Sequence, residues 1–561
     1  MSFSTRLVNG LHFRNLRGDL FGGLTAAVVA LPLALAFGVS SGAGAISGLY
    51  GAFFVGLFAA LFGGTPSQIS GPTGPMTVVM GTVFTALVSS NPENGLAMAF
   101  TVVIFGGLFQ ILFGVLKLGK YITLIPYTVI SGFMSGIGII IILIELGPLL
   151  GHPNADSVIH SLQLLPQHIQ TTNPAALGLS LLTLVIVFGT PRRINRVLPA
   201  PLLALVVVTT LSVIALPVDA VIRIGTIPTG LPFIHWPSFQ LDQLKTMVGY
   251  GIMLGVLGAI DSLLTSLVAD SITQTQHDSD RELIGQGIGN CLSGLFGGLP
   301  GAGATMRTVI NVKSGGRTPL SGVIHAFVLL VVVLGAGRLT EVIPQPVLAG
   351  ILLKVGIDII DWSFLKRAHK LSLKAAGLMY GVMAMTVFVD LITAVAVGVF
   401  IANLLTVKRL TELQLEGMVK IDNPDEGLLL NPEEKQLLGQ AKGRILLFHL
   451  GGPMSFGAAK GISQRLSIVG NYDVLILDLT DVPLMGVTAS LAIENMVKEA
   501  KDKRRDVFVV GAHGPVEDRL KRLGILPILS QGSLAITRID ALQLGLELIQ
   551  SRYQEREPVN L

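Results

Sequence analysis

The residues best suited to chemistry lie in two stretches where an apolar helix breaks into glycine, proline and hydroxyl residues and then resumes. The first, residues 61–77, reads LFGGTPSQISGPTGPMT, and the second, residues 295–308, reads LFGGLPGAGATMRT. Both open on Leu-Phe-Gly-Gly-x-Pro, and both close on a threonine (Thr77, Thr308) followed by two β-branched residues. Pro72, Pro75 and the glycines around them prevent a continuous helix, so the chain after Thr73 starts a new half-helix; the chain after Ala304 is expected to do the same. A helix start carries unpaired N–H groups and a partial positive charge, which suits an anion. The backbone at Gly74 and Ala304 would supply such N–H groups, and Thr73 and Thr305 add hydroxyl donors. The predicted chemistry is the cradling of a small, oxygen-rich anion. The bland alternative is that small residues here only allow tight helix crossing.

Charged side chains inside apolar segments are costly and mark function. Asp261 stands in GVLGAIDSLLTSLVAD, with Thr265 one turn later on the same face. A carboxylate, a hydroxyl and nearby carbonyls suit a hard cation or a proton. Arg307 follows the second break and is placed either to attract an anion or to neutralise Asp261. Glu145, Lys354, Asp358 and Asp390 also fall in apolar runs, where near helix ends they read as structural or snorkelling groups.

The elements that must position these residues are membrane helices. The 561-residue chain is only 13% charged, against about a quarter in ordinary globular proteins. Its mean hydropathy is +0.69. The charge deficit is confined to residues 20–407. With about 20 apolar residues per span, candidates fall near 20–40, 46–63, 97–116, 122–147, 175–190, 198–216, 248–268, 320–336, 343–360, 375–390 and 391–407. Shorter segments, 74–89, 285–298 and 304–313, adjoin the breaks, giving about fourteen in all. Arg14, Arg17, Lys117, Lys120, Arg192, Arg193, Arg196, Arg281, Lys313, Arg317, Lys366, Arg367, Lys370 and Lys374 fall on one side; Arg223, Lys245 and Arg338 on the other. This bias puts both termini in the cytoplasm. Residues 1–19 are basic and polar, without signal-peptide character.

A second internal match supports a repeat. Ile125-Pro126-x-x-Val129-x-x-Gly132, with Gly138 and Ile139 beyond, recurs as Ile343-Pro344-x-x-Val347-x-x-Gly350, with Gly356 and Ile357. Two matches in the same order imply halves of about seven helices each, near 20–217 and 246–407. Seven is odd, so the halves run in opposite orientation, the inverted-repeat plan of secondary transporters. The single Cys291 allows no intrachain disulfide and no cysteine metal cluster.

Residues 408–442 read as a charged linker. Beyond them, strand-like runs (Arg444–Leu450, Asp473–Leu479, Asp506–Gly511) alternate with helical patterns (Phe456–Val469, Thr488–Lys503, Val516–Leu523, Ile539–Arg552). That is a small α/β domain over 443–555. It has no phosphate-binding glycine loop, and no nucleophile–base pair accompanies the intramembrane charges, so an enzyme is not expected.

GDLFGGLTAAVVALPLALAFGVSSGAG at 18–44, GPTGPM at 71–76, RELIGQGIGN at 281–290 and GGLPGAGATM at 297–306 resemble the SulP anion permeases, in particular the cyanobacterial sodium-dependent bicarbonate transporters. The resemblance covers nearly the whole chain. It implies fourteen helices in a 7+7 inverted repeat forming core and gate domains, a cytoplasmic STAS domain, a homodimer in the cell membrane, and no cofactor other than sodium as coupling ion. By position it implies anion binding at Thr73 and around Ala304, and sodium binding at Asp261, Thr265, Gly303 and Thr305. Arg307 resembles sulfate and chloride members, which keeps sulfate, chloride or dicarboxylate exchange open; an anion-driven electromotile or channel-like protein is a further alternative. Gly71 stands where the resemblance implies an acidic residue. An Asp261–Arg307 pair would remove the need for sodium. In the STAS domain, Thr488 of Gly486-Val487-Thr488-Ala489 stands at the position of a phosphorylatable serine, or caps the following helix.

Overall fold

The computed structural model describes residues 9–122, 126–155, 157–195, 198–224, 232–335, 341–423, 430–455, 457, 459, 461–462, 472–529, 534–535 and 537–554. Ile125, Arg196, Arg338 and most of the pattern at 456–469 lie outside these residues. The chain divides into two compact units, Met1–Phe400 and Ile401–Leu561.

Single turns aside, the first unit begins with α1 (Leu16–Ser40) and α2 (Ala45–Phe62), then a two-residue strand β1 (Ser70–Gly71) and the half-helix α3 (Gly74–Ser90). There follow α4 (Gly95–Val115), α5 (Tyr127–Leu149), the amphipathic α6 (Val158–Gln170), α7 (Pro174–Gly189) and α8 (Ala200–Ala215). The second series is α9 (Leu244–Thr273), α10 (Ser279–Leu295), β2 (Ala302–Gly303), the nine-residue α11 (Thr305–Lys313), α12 (Pro319–Gly335), α13 (Gln345–Ile359), α14 (Leu373–Phe388) and α15 (Leu391–Glu416). Among the described residues, Phe13–Ser40, α2, α4, α5, α9 and Thr393–Glu416 are long and apolar enough to span a membrane alone. α3, α8, α12 and α14 are shorter apolar helices, and α6 and α7 are long and apolar enough together, as a pair bent by 113°.

The internal repeat reappears in three dimensions. Both breaks give helix, strand, half-helix: α2–β1–α3 and α10–β2–α11. Ser70 pairs with Gly303 and Gly71 with Ala302, antiparallel. Two equivalent segments that pair antiparallel run in opposite directions, as inverted halves require. The repeat prolines also correspond, since Pro126 and Pro344 each cap the helix that starts on the next residue. Gly138 of α5 and Gly356 of α13 lie against each other: a methyl group on either would come within 2.5 or 2.8 Å of the other's carbonyl oxygen. Gly107 of α4 and Gly287 of α10 meet in the same way, at 2.5 Å each. Small residues thus bring helices to backbone contact where lipid offers no hydrophobic drive for association.

The second unit is a five-stranded sheet in the order β3 (Met418–Ile421), β4 (Ile445–Gly451), β5 (Val474–Asp481), β6 (Asp506–Val510) and β7 (Leu534–Ala535). β3 is antiparallel to β4 and the remaining pairs are parallel. β4, β5 and β6 are buried nearly throughout, as a sheet covered on both faces demands. One face packs α17 (Val487–Asp502) through Ile493 and Val497; the other packs α16 (Pro432–Gln440) and α19 (Arg538–Gln554) through Leu438, Ala541 and Leu542. α18 (Pro515–Arg522) contributes Val516 and Leu520 to the first face. The described parts of the expected linker are therefore structured. Residues 408–416 continue α15, β3 is an edge strand of the sheet, and Asn431 caps α16 with a capping box closed by Glu434.

Candidate functional site

The two half-helix starts come together at the β1–β2 crossing. Gly71 sits at φ 154°, and a side chain there would meet Arg307 Nη1 at 2.8 Å; a methyl group on Gly301 would meet the Gly71 backbone at 2.5 Å. Only glycine allows the strands and the guanidinium to approach this closely. An acidic residue at Gly71 would stand beside the Arg307 guanidinium, so the glycine leaves that charge without a carboxylate at this position.

Thr73 is the N-cap of α3 but does not cap it; its hydroxyl donates instead to Asp261 Oδ2 at 3.1 Å. Ala304 caps α11 without a side-chain bond, and Thr305, next in line, uses its hydroxyl on Thr265 at 2.8 Å. Side chains thus leave both helix starts open, and open starts accept an anion. Thr73 and Gly74 are buried, whereas Thr305 and Met306 are exposed. One half of the cradle is covered and the other is accessible.

α9 carries Asp261 and Thr265 on one buried face. The Thr265 hydroxyl donates to the Gly303 carbonyl at 3.0 Å. Thr265, Gly303 and Thr305 therefore form one oxygen cluster, with the Asp261 carboxylate one helical turn away and joined to Thr73. Carboxylate, hydroxyl and carbonyl oxygens are the donors a hard cation takes. The two candidate sets touch: Thr305 belongs to the anion cradle and to the oxygen cluster, and Asp261 is bonded to the cradle through Thr73.

Of the two expectations for Arg307, the pairing with Asp261 is not what the structure shows. Arg307 is buried, its Nη2 donates to the Pro72 carbonyl across the crossing, and no ion pair joins it to Asp261. Its charge lies at the crossing, beside Pro72 and Gly71. Nη1 has no hydrogen-bond partner, and the fully buried His325 of α12 nearby likewise has both ring nitrogens without one.

The residues that hold the first break in shape were not picked out from the sequence. Glu282 is buried in the first turn of α10 and accepts four hydrogen bonds: from Gly64 N and Thr65 N at 2.9 Å, Gln68 Nε2 at 2.7 Å and Gln286 Nε2 at 2.8 Å. Gln286 also reaches Ser70 at 2.6 Å. Asn290 clasps Gly301, donating to its carbonyl at 2.9 Å and accepting from its N–H at 2.7 Å. Glu282, Gln286 and Asn290 recur every four residues on one face of α10, a polar stripe within RELIGQGIGN that was the available signal. Asn311 donates to Ser67 O at 2.9 Å, and Asp19 accepts from Arg317 N and Thr318 N at 2.8 and 3.0 Å.

The other intramembrane charges separate by role. Glu145 is buried and accepts from Ser40 at 2.6 Å. Lys354 pairs with Asp358, and Asp390 accepts from Thr393 N at 2.8 Å at the start of α15. A cavity of about 370 Å³ lies between α1, α3 and α5, lined by Ser40, Thr77, Gly81, Ile141 and Ile144 among others. It stops short of Thr73, Asp261 and Arg307. In the second unit, Thr488 is exposed inside the first turn of α17, and the cap is Gly486. Thr488 therefore does not cap the helix.

Residues 16–386 match the sulfate permease family and residues 438–538 match the STAS domain. The chain is 54% identical to the bicarbonate transporter BicA of Synechocystis sp. over 554 residues, 99% of this chain and 98% of that protein. The solved transmembrane domain of a cyanobacterial bicarbonate transporter BicA is 58% identical, covers 69% of this chain and 99% of its own, and superposes with a TM-score of 0.66. Murine solute carrier 26 family member A9, an anion transporter in the inward-facing state, shares the fold at 18% identity, with a TM-score of 0.82 over 96% of this chain and 92% of its own.

Proposed function

The chain belongs to the sulfate permease family, and from that premise we propose that it carries bicarbonate into the cell by alternating access, with sodium as the coupling ion. The observation that carries the reading is the pair of opposed half-helix starts, uncapped by side chains and joined through Thr305 and Thr73 to an oxygen cluster around Asp261. The anion lies against the N–H groups of Gly74 and Thr305, and the Thr73 hydroxyl, which here donates to Asp261, joins it by giving up that bond. The cation takes the oxygens of Asp261, Thr265, Gly303 and Thr305. Because the two sets share Thr305 and are bonded through Thr73, filling one orders the other, which is what coupling requires. The likeness to bicarbonate transporters over nearly the full chain supports the substrate.

Arg307 favours the sulfate or chloride reading only if its charge faces the anion; the bond to Pro72 commits Nη2 to the backbone and leaves Nη1 without a partner, so that alternative stands beside the bicarbonate reading. The protein is read as a multi-pass protein of the cell membrane with both termini cytoplasmic, from the placement of Lys and Arg, and as a homodimer through its STAS domain, from the family resemblance.

Uptake of labelled bicarbonate into proteoliposomes under an inward sodium gradient tests the reading. Uptake is expected with sodium and not with potassium, and Asp261→Asn is expected to abolish the sodium dependence while the protein stays folded. Equal uptake in potassium overturns the coupling. Displacement of bicarbonate by sulfate at equal concentration overturns the substrate.

A further inference from the structure

The repeat places a matched pair of side chains that nothing above assigns. Three residues beyond the touching glycines Gly138 and Gly356 stand Ile141 of α5 and Ile359 of α13. Both point at one spot: a methyl group placed on Gly74 would lie 2.6 Å from Ile359 Cδ1 and 3.0 Å from Ile141 Cδ1. Gly74 is the first residue of α3, where the anion is read to sit. Ile141 also lines the cavity of about 370 Å³, whereas Gly74 does not. The branched side chain of Ile141 therefore stands between that cavity and the cradle.

The position of the pair is fixed from outside. Asp361, two residues beyond Ile359, accepts from Tyr127 Oη at 2.7 Å and Ser131 Oγ at 2.8 Å of α5, and its N–H donates to Ser135 Oγ at 3.2 Å. The end of α13 is thereby tied to the first two turns of α5. With the Gly138–Gly356 contact on one side and Asp361 on the other, the two isoleucines have little freedom to withdraw from Gly74 unless α5 and α13 move together.

We propose that Ile141 and Ile359 form an apolar barrier across the covered half of the anion cradle, separating it from the cavity and setting an upper limit on the size of anion the cradle accepts. Two β-branched side chains are stiff at χ1 and offer an anion no hydrogen bond. A hydrated or bulky anion cannot pass between the cavity and the α3 start while they stand there. Gly74 follows as a matched residue, since its lack of a side chain is what lets the barrier close on the N–H groups.

The size limit rests on the transport reading, and the barrier does not, so two measurements keep them apart. First, in proteoliposomes, Gly74→Ala is expected to lose bicarbonate uptake, and Gly74→Ala combined with Ile359→Ala to recover it. Ile141→Ala with Ile359→Ala is expected to raise competition by sulfate relative to bicarbonate by at least about tenfold, the low end of what one methylene supplies in a pocket. Ile141→Val with Ile359→Val, which keeps the packing, is expected to lie between. Failure of Ile359→Ala to rescue Gly74→Ala, or unchanged competition in both pairs, overturns the size limit. Second, in a Cys291→Ser background, Thr305→Cys is exposed to a membrane-impermeant thiol reagent from each face in turn. Replacing both isoleucines by alanine is expected to raise the slower of the two modification rates by about tenfold or more, matching the loss in discrimination. An unchanged slower rate overturns the barrier even in a protein that moves no bicarbonate.

Discussion

The most demanding consequence of the structure concerns Glu282, which holds the first break in place. Its carboxylate accepts from two backbone N–H groups and two side-chain amides, all buried. Glu282→Ala leaves Gly64 N, Thr65 N and Gln68 Nε2 without this buried acceptor, while Gln286 Nε2 keeps Ser70. A buried unmet donor costs about 1–3 kcal/mol, so three give a floor of roughly 3 kcal/mol before the loop relaxes. That is a large part of the 5–15 kcal/mol that separates native from unfolded chains. Relaxation would draw Gly64 and Thr65 away from α10 and slacken Gln68 and Ser70, and with them the β1–β2 crossing that sets Thr73 against Asp261. Expected are a fall of several degrees in the thermal midpoint of the purified protein, loss of hydrogen-exchange protection at residues 64–70, and loss of uptake. Glu282→Gln keeps one oxygen for two of the donors but turns an amide against the others, and is expected to fall between. Glu282→Ala with native protection at 64–70 and native uptake would refute the clamp, because then the four bonds do not hold the break.

Three further outcomes follow from other parts of the molecule. Because Arg307 is bonded to Pro72 and not to Asp261, Arg307→Gly is expected to lower uptake without creating or strengthening sodium dependence; a gain in sodium dependence, read from uptake against external sodium, would mean that Asp261 was its partner after all. In the second unit, burial alone would raise the Asp478 carboxyl, but His449 Nδ1 at 2.8 Å and the hydroxyl and N–H of Thr480 at 2.5 and 3.0 Å outweigh it and hold it below the usual carboxylate value. Its stabilisation is then fully present above the ordinary value near pH 4 and is lost as pH falls through the lower folded value. Asp478→Asn should cost about 2–3 kcal/mol at neutral pH, the worth of hydrogen bonds to a charged group, and less in acid, checked by hydrogen exchange in residues 445–481 of the full chain. Thr488→Ala should change stability by less than about 0.5 kcal/mol, as exposed sites without special partners do; a larger drop in the midpoint would return a capping role to Thr488.

Much of this architecture was legible because membrane physics leaves few options. The breaks announce themselves, since proline and glycine cannot continue a helix and irregular backbone at membrane depth must be surrounded by protein or line a water-filled cavity. The repeat was legible for the same reason: Gly138 and Gly356 are needed wherever two backbones touch. What sequence could not give was the direction of a polar side chain. Glu282 in the first turn of a helix looks like an ordinary acidic residue favoured by the helix dipole, and nothing local says that Gly64 and Thr65 fold back onto it. Arg307 could face either side of the crossing, and only the bond to Pro72 fixes it. Of the two readings of Thr488, the cap fails because α17 starts earlier, with Gly486 in the extended conformation at ψ 162° and Val487 already helical.

The two halves share a plan but not their residues, and the difference bears on how the protein closes. Alignment of Thr77 with Thr308 makes Gly74 the counterpart of Thr305. The start of α3 is therefore bare backbone beneath two isoleucines, while the start of α11 carries a hydroxyl bonded to Thr265 and remains exposed. In an inverted repeat, exchanging the conformations of the halves generates the opposite-facing state. That exchange brings an apolar cover toward the α11 start, where the Thr305 side chain occupies the space that Gly74 leaves empty. The barrier cannot seat there as deeply, even though the Thr305 hydroxyl is already turned into the oxygen cluster, 2.8 Å from Thr265. Under the sodium coupling proposed above, a cation in that cluster would add to the Thr265 bond in keeping Thr305 clear of the cover.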